Sequence, residues 1–162
     1  MIIGILSDTH DRADAMAAGM RALKAAGAGF FIHCGDVGSE RVLDLLAGEP
    51  AAFVWGNTDW DRAGLKRYAE AIGIACHGAM ADLSLGGKRI AVIHGDDGKL
   101  KRALLDAQQH DYLLQGHTHV AADERVGRTR VINPGALFRT SRKTVAALDL
   151  AADRVQFLEV DP

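Results

Sequence analysis

The sequence predicts an α/β (α+β) chain in which two sheets pack face to face with helices outside. Two observations carry this expectation. The first half alternates strand-like and helix-like segments in the order βαβαβ. The last stretch, from about residue 129 onward, shows three strand-like segments separated by turns, with no helix between them, and reads as antiparallel β.

Met1 to Leu6 is an apolar run that reads as a buried strand. A helix comes next, with Met16, Met20 and Leu23 on one face, and Asp11 and Asp14 favour the positive end of its dipole. Phe30, Phe31 and Ile32 give a second strand. Ser39 is an expected N-cap for a helix carrying Val42, Leu43 and Leu46, closed by Gly48. Ala52 to Trp55 is a third strand, and Asp61 to Ala71 a short helix. Leu83 to Leu85 and Arg89 to Ile93 flank Gly86-Gly87, a hairpin signal. A helix with Leu100, Leu104 and Ala107 leads to a strand over Tyr112 to Leu114. Thr129 to Ile132, Thr144 to Leu150 and Val155 to Val160 complete the strands.

Composition bounds the function. With 162 residues, one domain spanning 1–162 is expected. The balance of 48% hydrophobic and 25% charged residues is that of an ordinary globular chain, which excludes disorder. Lys+Arg 19 against Asp+Glu 21 leaves a net charge of −2. That lacks the basic excess of a dedicated nucleic-acid binding surface. No apolar stretch approaches a membrane span and the start does not read as a signal peptide. Cys34 and Cys76 form no paired framework, so reduced thiols and a cytoplasmic location are expected.

The chemistry lies in the segments just after the apolar strands. These five segments are Ser7-Asp8-Thr9-His10, Gly35-Asp36, Gly56-Asn57-Thr58-Asp59, His94-Gly95-Asp96 and Gln115-Gly116-His117-Thr118-His119. In α/β sheets, ligand sites assemble at the carboxyl ends of strands. Glycines there let the backbone turn sharply. Asp-x-His alone is a weak signal, expected about 0.7 times by chance in such a chain. Gly-His-x-His and Gly-Asn-x-Asp are expected only about 0.03 and 0.02 times, and both stand at strand ends. Imidazole nitrogen and carboxylate oxygen are usual donors to divalent ions. Asp8, His10, Asp36, Asn57, His94, His117 and His119 are too many for one ion and suit two if one carboxylate bridges. Without thiolates the set does not read as structural zinc.

This order of motifs resembles the calcineurin-like metallophosphoesterase superfamily. The small size and the Gly-Asn-Thr-Asp form look like its compact bacterial and archaeal phosphodiesterase branch. The resemblance covers Met1 to about Gly135, including the turn Asn133-Pro134-Gly135. It implies a four-layer αββα sandwich of two mixed sheets flanked by helices. It implies that Asp8, His10 and His119 hold one metal, that Asn57, His94 and His117 hold the other, and that Asp36 bridges. Hydrolysis of a small phosphodiester by a hydroxide shared between two divalent ions would follow, with Asp36, Asn57 and His94 as the catalytic set. Mn is the first expectation for the ions, and Fe, Zn, Ni or Co would also suit mixed N/O donors. Relatives also suggest a homodimer, although no exposed apolar stripe demands one.

Two positions depart from the superfamily pattern. Thr58 stands where most members carry a general-acid His, although the compact branch often lacks it. Asp96 stands where many have a second His, and is expected to orient a ligand or cap the following helix. An alternative to the enzyme is a catalytically inactive scaffold of the same fold, similar to the retromer coat's scaffolding subunit. A doubly wound nucleotide-binding domain is disfavoured because no Gly-x-Gly-x-x-Gly follows the first strand. Outside the set, His33 is expected to pack beside the site, and His77 and His110 to lie at the surface. Trp60 could line the substrate mouth or pack on the short helix. Arg62, Lys99 and Arg139 could meet phosphate, though lone basic residues are usually solvated.

Overall fold

A computed structural model describes residues 1–161. Six strands form one sheet in the order β11-β10-β1-β2-β3-β4: β1 (Ile2–Leu6), β2 (Phe30–His33), β3 (Ala51–Phe53), β4 (Ala75–Cys76), β10 (Thr144–Asp149) and β11 (Arg154–Glu159). Five form the other in the order β5-β6-β7-β9-β8: β5 (Met80–Leu85), β6 (Lys88–Ile93), β7 (Tyr112–Leu114), β8 (Ala122–Val126) and β9 (Thr129–Asn133). The helices are α1 (Ala13–Ala25), α2 (Glu40–Leu43, continued by a 3₁₀ turn at Asp44–Leu46), α3 (Arg62–Ala71) and α4 (Gly98–Ala107).

Strand periodicity builds the layers. Ile3 and Ile5 of β1, Ile32 of β2, Ile90 and Val92 of β6 and Leu114 of β7 meet in one buried cluster between the sheets. The alternate positions face outward. Leu6 and Phe31 pack against Met16, Met20 and Leu23 of α1, while Ala91, Ile93 and Leu113 pack against Leu100 and Leu104 of α4. The result is the expected αββα sandwich of two mixed sheets.

Within each sheet the strands that precede the motifs run parallel: β1 with β2 and β2 with β3, then β6 with β7. Parallel strands end on one edge, so all five loops emerge together. Backbone hydrogen bonds tie them: Asp8 N–H to Gly35 O at 3.0 Å, His10 N–H to Asp36 O at 2.9 Å, and Gly116 N–H to His94 O at 2.8 Å.

Several expectations are corrected. β9 pairs parallel to β7, so the chain's last third is not wholly antiparallel; β10 and β11 return to the first sheet. β4 and β8 have no counterpart in the sequence pattern. β4 has two residues, and every residue of β8 is exposed, so neither carries an apolar alternation. The helix after Ser39 is one turn long, and Ser39 does not cap it, because its hydroxyl donates to Asp11 Oδ1. His110 is buried, with Nε2 3.3 Å from Asp82 Oδ1 of the β5–β6 hairpin, which covers it. No helix among the described residues is long and apolar enough to cross a membrane.

Candidate metal centre

The structure brings all seven predicted side chains to one crevice where the two sheets meet. Asp8 Oδ1 lies 3.2 Å from His119 Nε2, 3.9 Å from His10 Nε2 and 4.0 Å from His94 Nε2. Asp36 Oδ2 lies 3.5 Å from His10 Nε2 and 3.4 Å from His94 Nε2. Asn57 Oδ1 lies 2.9 Å from His94 Nε2 and 3.2 Å from His117 Nδ1. Two groupings could each hold an ion: Asp8, His10 and His119, and Asp8, Asp36 and His94. Asp8 stands in both, and Asp36 reaches imidazoles of both halves, so each carboxylate has access to two positions.

The donors fit divalent ions. Asp8 Oδ1 and His10 Nε2 are buried and have no hydrogen-bond partner, an arrangement that costs energy unless a cation completes it. His94 donates its Nδ1–H to Cys34 O at 2.9 Å, which orients the ring and turns Nε2 toward Asp36 and Asn57. His94 Nε2, a carboxylate oxygen and an amide oxygen converge there, so a proton or a metal cation must lie among them.

Titration behaviour reflects the same geometry. Burial works to lower the His94 ring, but the Asp36 carboxylate beside it wins and lifts it to about 8. Burial works to raise the Asp36 carboxyl, but His94 and the Thr58 N–H hold it well below the usual carboxylate range. Burial lowers His10, against the pull of Asp36 and Asp8. His33 is wholly buried and lowered to about 3 by desolvation, and it accepts from Gly35 N–H at 3.3 Å and donates to Thr9 Oγ1 at 2.7 Å. It packs beside the centre, as expected, rather than entering it.

Five of the seven residues have left-handed backbone: Asp8 (φ 53°), His10 (46°), Asp36 (55°), His117 (69°) and His119 (60°). Non-glycine residues rarely adopt this region, and each instance costs on the order of 1–3 kcal/mol. The tight turns point successive side chains back into the crevice. In metal-free protein, His117→Gly should therefore be more stable than His117→Ala by about 1 kcal/mol in chemical denaturation, because both lose the ring and only glycine relieves the backbone.

Neighbouring residues hold the loops, and several carry no distinctive signal in the sequence. Asp59, the last residue of Gly-Asn-x-Asp, is no ligand. Its Oδ1 accepts from Gly38 N–H at 3.0 Å and its Oδ2 from Gly56 N–H at 2.8 Å, clamping the loops after β2 and β3. Thr58 N–H donates to Asp36 Oδ1 at 2.8 Å, and the Thr58 hydroxyl lies 3.4 Å from His10 Nδ1. His117 N–H donates to Asp8 Oδ2 at 3.0 Å, joining the two sheets. Asn133 Nδ2 donates to Gly116 O at 2.8 Å and Thr118 Oγ1 at 3.0 Å, which locks the Gly-His-Thr-His loop. Gly116 is required by proximity: a Cβ there would lie 1.8 Å from Ser7 Oγ and 2.6 Å from Asp8 Oδ2.

The remaining candidates divide. Asp97, not Asp96, caps α4, accepting from Lys99 and Leu100 N–H. Asp96 lines a cavity of about 210 Å³ beside His94, together with Trp55 and Arg62. Arg62 is fixed there, with its guanidinium 5.5 Å from the Trp55 ring and Nη2 donating to Gly56 O at 3.1 Å. Arg12 and Arg139 lie 5.8 and 5.3 Å from the Phe138 ring, which stands 5.4 Å from the His10 ring. They give that side of the mouth a cationic rim. Lys99 and His77 are exposed, as expected for His77.

A two-sheet sandwich whose strand ends deliver imidazoles, carboxylates and an amide to one crevice is a candidate centre for divalent cations. The chain belongs to the calcineurin-like phosphoesterase superfamily, whose domain model matches residues 1–153. Phosphodiesterase MJ0936 of Methanocaldococcus jannaschii is 27% identical over 154 residues, covering 92% of this chain and 93% of that protein. The probable metallophosphoesterase MJ0623 of the same organism is 31% identical over 145 residues, covering 84% of this chain and 68% of that protein. A solved archaeal phosphodiesterase superposes with a TM-score of 0.91 at 25% identity, covering 99% of this chain and all of that one.

Proposed function

We propose that this chain is a two-metal phosphodiesterase acting on small phosphodiesters, as a single domain. Asp8, His10 and His119 would hold one ion and Asn57, His94 and His117 the other, with Asp36 between them. The observation that carries this reading is the position of Asp36 Oδ2, nearly equidistant from His10 Nε2 and His94 Nε2 at 3.5 and 3.4 Å. Mixed N/O donors without thiolate suit Mn first, and Fe, Zn, Ni or Co after it.

When bound, such ions supply Lewis acidity, which acidifies a water and draws charge from the phosphoryl oxygens. The chain's own residues do the rest. Asn57 contributes a neutral oxygen, so the two carboxylates do not cancel the charge of two divalent ions, and an anionic diester is attracted. Cys34 O holds the His94 ring in one orientation, and Thr58 N–H holds Asp36 in place. Arg12 and Arg139 add positive charge at the rim. The two buried donors left without hydrogen-bond partners, Asp8 Oδ1 and His10 Nε2, favour the enzyme over a scaffold. The two free cysteines accord with a reducing, cytoplasmic compartment, and a homodimer is the expected assembly.

The Thr58 hydroxyl is too weak an acid to protonate a departing alkoxide near neutral pH, and its neighbour is a candidate ligand, His10. General acid help is worth about 10²–10⁴-fold. Rates over a series of diesters should therefore depend steeply on leaving-group pKa, with activated aryl esters cut at least about 100-fold faster than alkyl esters. Thr58→His should flatten that dependence. The reading is tested by assaying bis(p-nitrophenyl) phosphate with each ion in turn: hydrolysis stimulated by Mn supports it, and no hydrolysis with any ion refutes it.

A further inference from the structure

Trp60 is 88% exposed, more than any other large apolar side chain among the described residues. It stands between the Asn57–Asp59 turn and α3, and the helix buries Leu65 and Ala69 instead of the indole. An indole facing water forgoes a large burial term unless something covers it. Trp60 lines a groove of about 490 Å³ with Ser39, Glu40, Arg41, Thr58 and Leu65. The groove borders the metal centre, because Thr58 lines it while touching both Asp36 and His10. Glu40 and Arg41 are exposed and form no ion pair among the described residues.

We propose that this groove is a subsite for a nucleobase carried by the phosphodiester, stacked on Trp60 with its polar edge toward Glu40 and Arg41. The inference rests on the phosphodiesterase reading and narrows its substrate class to nucleotide diesters. A flat π-face matches an open indole, and base–aromatic stacking is worth roughly 5- to 150-fold in affinity. A nucleobase also offers donors and acceptors to one carboxylate and one guanidinium, which a plain alkyl or aryl substituent would leave unused. The phosphorus would then sit beside Asp36 and Thr58, two positions before Trp60.

The test uses Mn-loaded protein and two ligands that share a sugar phosphate and differ by the base: AMP and ribose 5-phosphate. Calorimetry should show AMP binding at least about 5-fold tighter, and AMP alone should quench tryptophan emission. Trp60→Ala should remove most of that preference and leave ribose 5-phosphate unchanged. Trp60→Phe should keep most of it while abolishing the quench, since only Trp55 remains to report. An AMP preference that is absent in the parent, or that survives intact in Trp60→Ala, overturns the subsite. A dimer that dissociates in Trp60→Ala with AMP affinity unchanged also overturns it and assigns the indole to an interface. Hydrolysis of bis(p-nitrophenyl) phosphate, run alongside, separates the two levels. Lost base preference with hydrolysis intact removes the subsite alone, and no hydrolysis with any ion removes the function on which it rests.

Discussion

Asp36→Ala should lose both bound ions and reduce diester hydrolysis by at least about a thousand-fold. Asp36 Oδ2 is within 3.5 Å of imidazoles belonging to both proposed ion positions, so its removal subtracts a negative donor from each. Deleting one preorganised electrostatic contact in an active site commonly costs about 10²–10³-fold, and here two positions fail together. The fold should survive, because the core is supplied by the apolar strands and helices rather than by the crevice. His94→Ala or His117→Ala should likewise abolish hydrolysis while keeping the helical and strand signal in circular dichroism. Two ions retained at full occupancy in Asp36→Ala would remove the bridging assignment.

Gly56→Ala should be nearly as damaging without touching a single candidate ligand. A Cβ on residue 56 would lie 2.0 Å from Asp36 Oδ1 and 2.3 Å from Asp36 N. The second contact is backbone and cannot swing aside, so the loops after β2 and β3 must separate. That movement strains the Asp59 clamp, whose Oδ2 accepts the Gly56 N–H itself. Overpacking of this kind costs about 1–3 kcal/mol of stability. A displacement near 1 Å at the reacting groups costs about 100-fold in rate. The variant should melt lower than the parent and bind ions more weakly, and parent-like turnover would show that the two loops move independently.

Both expectations depend on features of unequal visibility in the sequence. The motif-bearing strands and the crevice are legible because apolar runs such as Ile2–Leu6 and Ile90–Ile93 end in short turns bearing Asp or His. That pattern suffices to gather seven residues without any geometry. Strand β8 is not legible, since Ala122 to Val126 face solvent throughout and carry no alternation. His110 looks like a surface residue because its cover comes from Asp82, 28 positions earlier in the hairpin. The clamp made by Asp59 is present in the motif but not in its reading, because nothing in the spacing shows the Gly38 and Gly56 N–H groups from which its carboxylate accepts. The left-handed turns at five site residues leave only a faint trace, the enrichment of Asp and His in that region of backbone space.

The count of ions per chain decides the matter most directly. Protein stripped with a chelator, dialysed to equilibrium against Mn and analysed for protein and metal should hold two ions per chain, and Asp36→Ala treated identically should hold fewer than one. A parent that binds a single ion, or none, while still hydrolysing bis(p-nitrophenyl) phosphate would contradict the two-metal account.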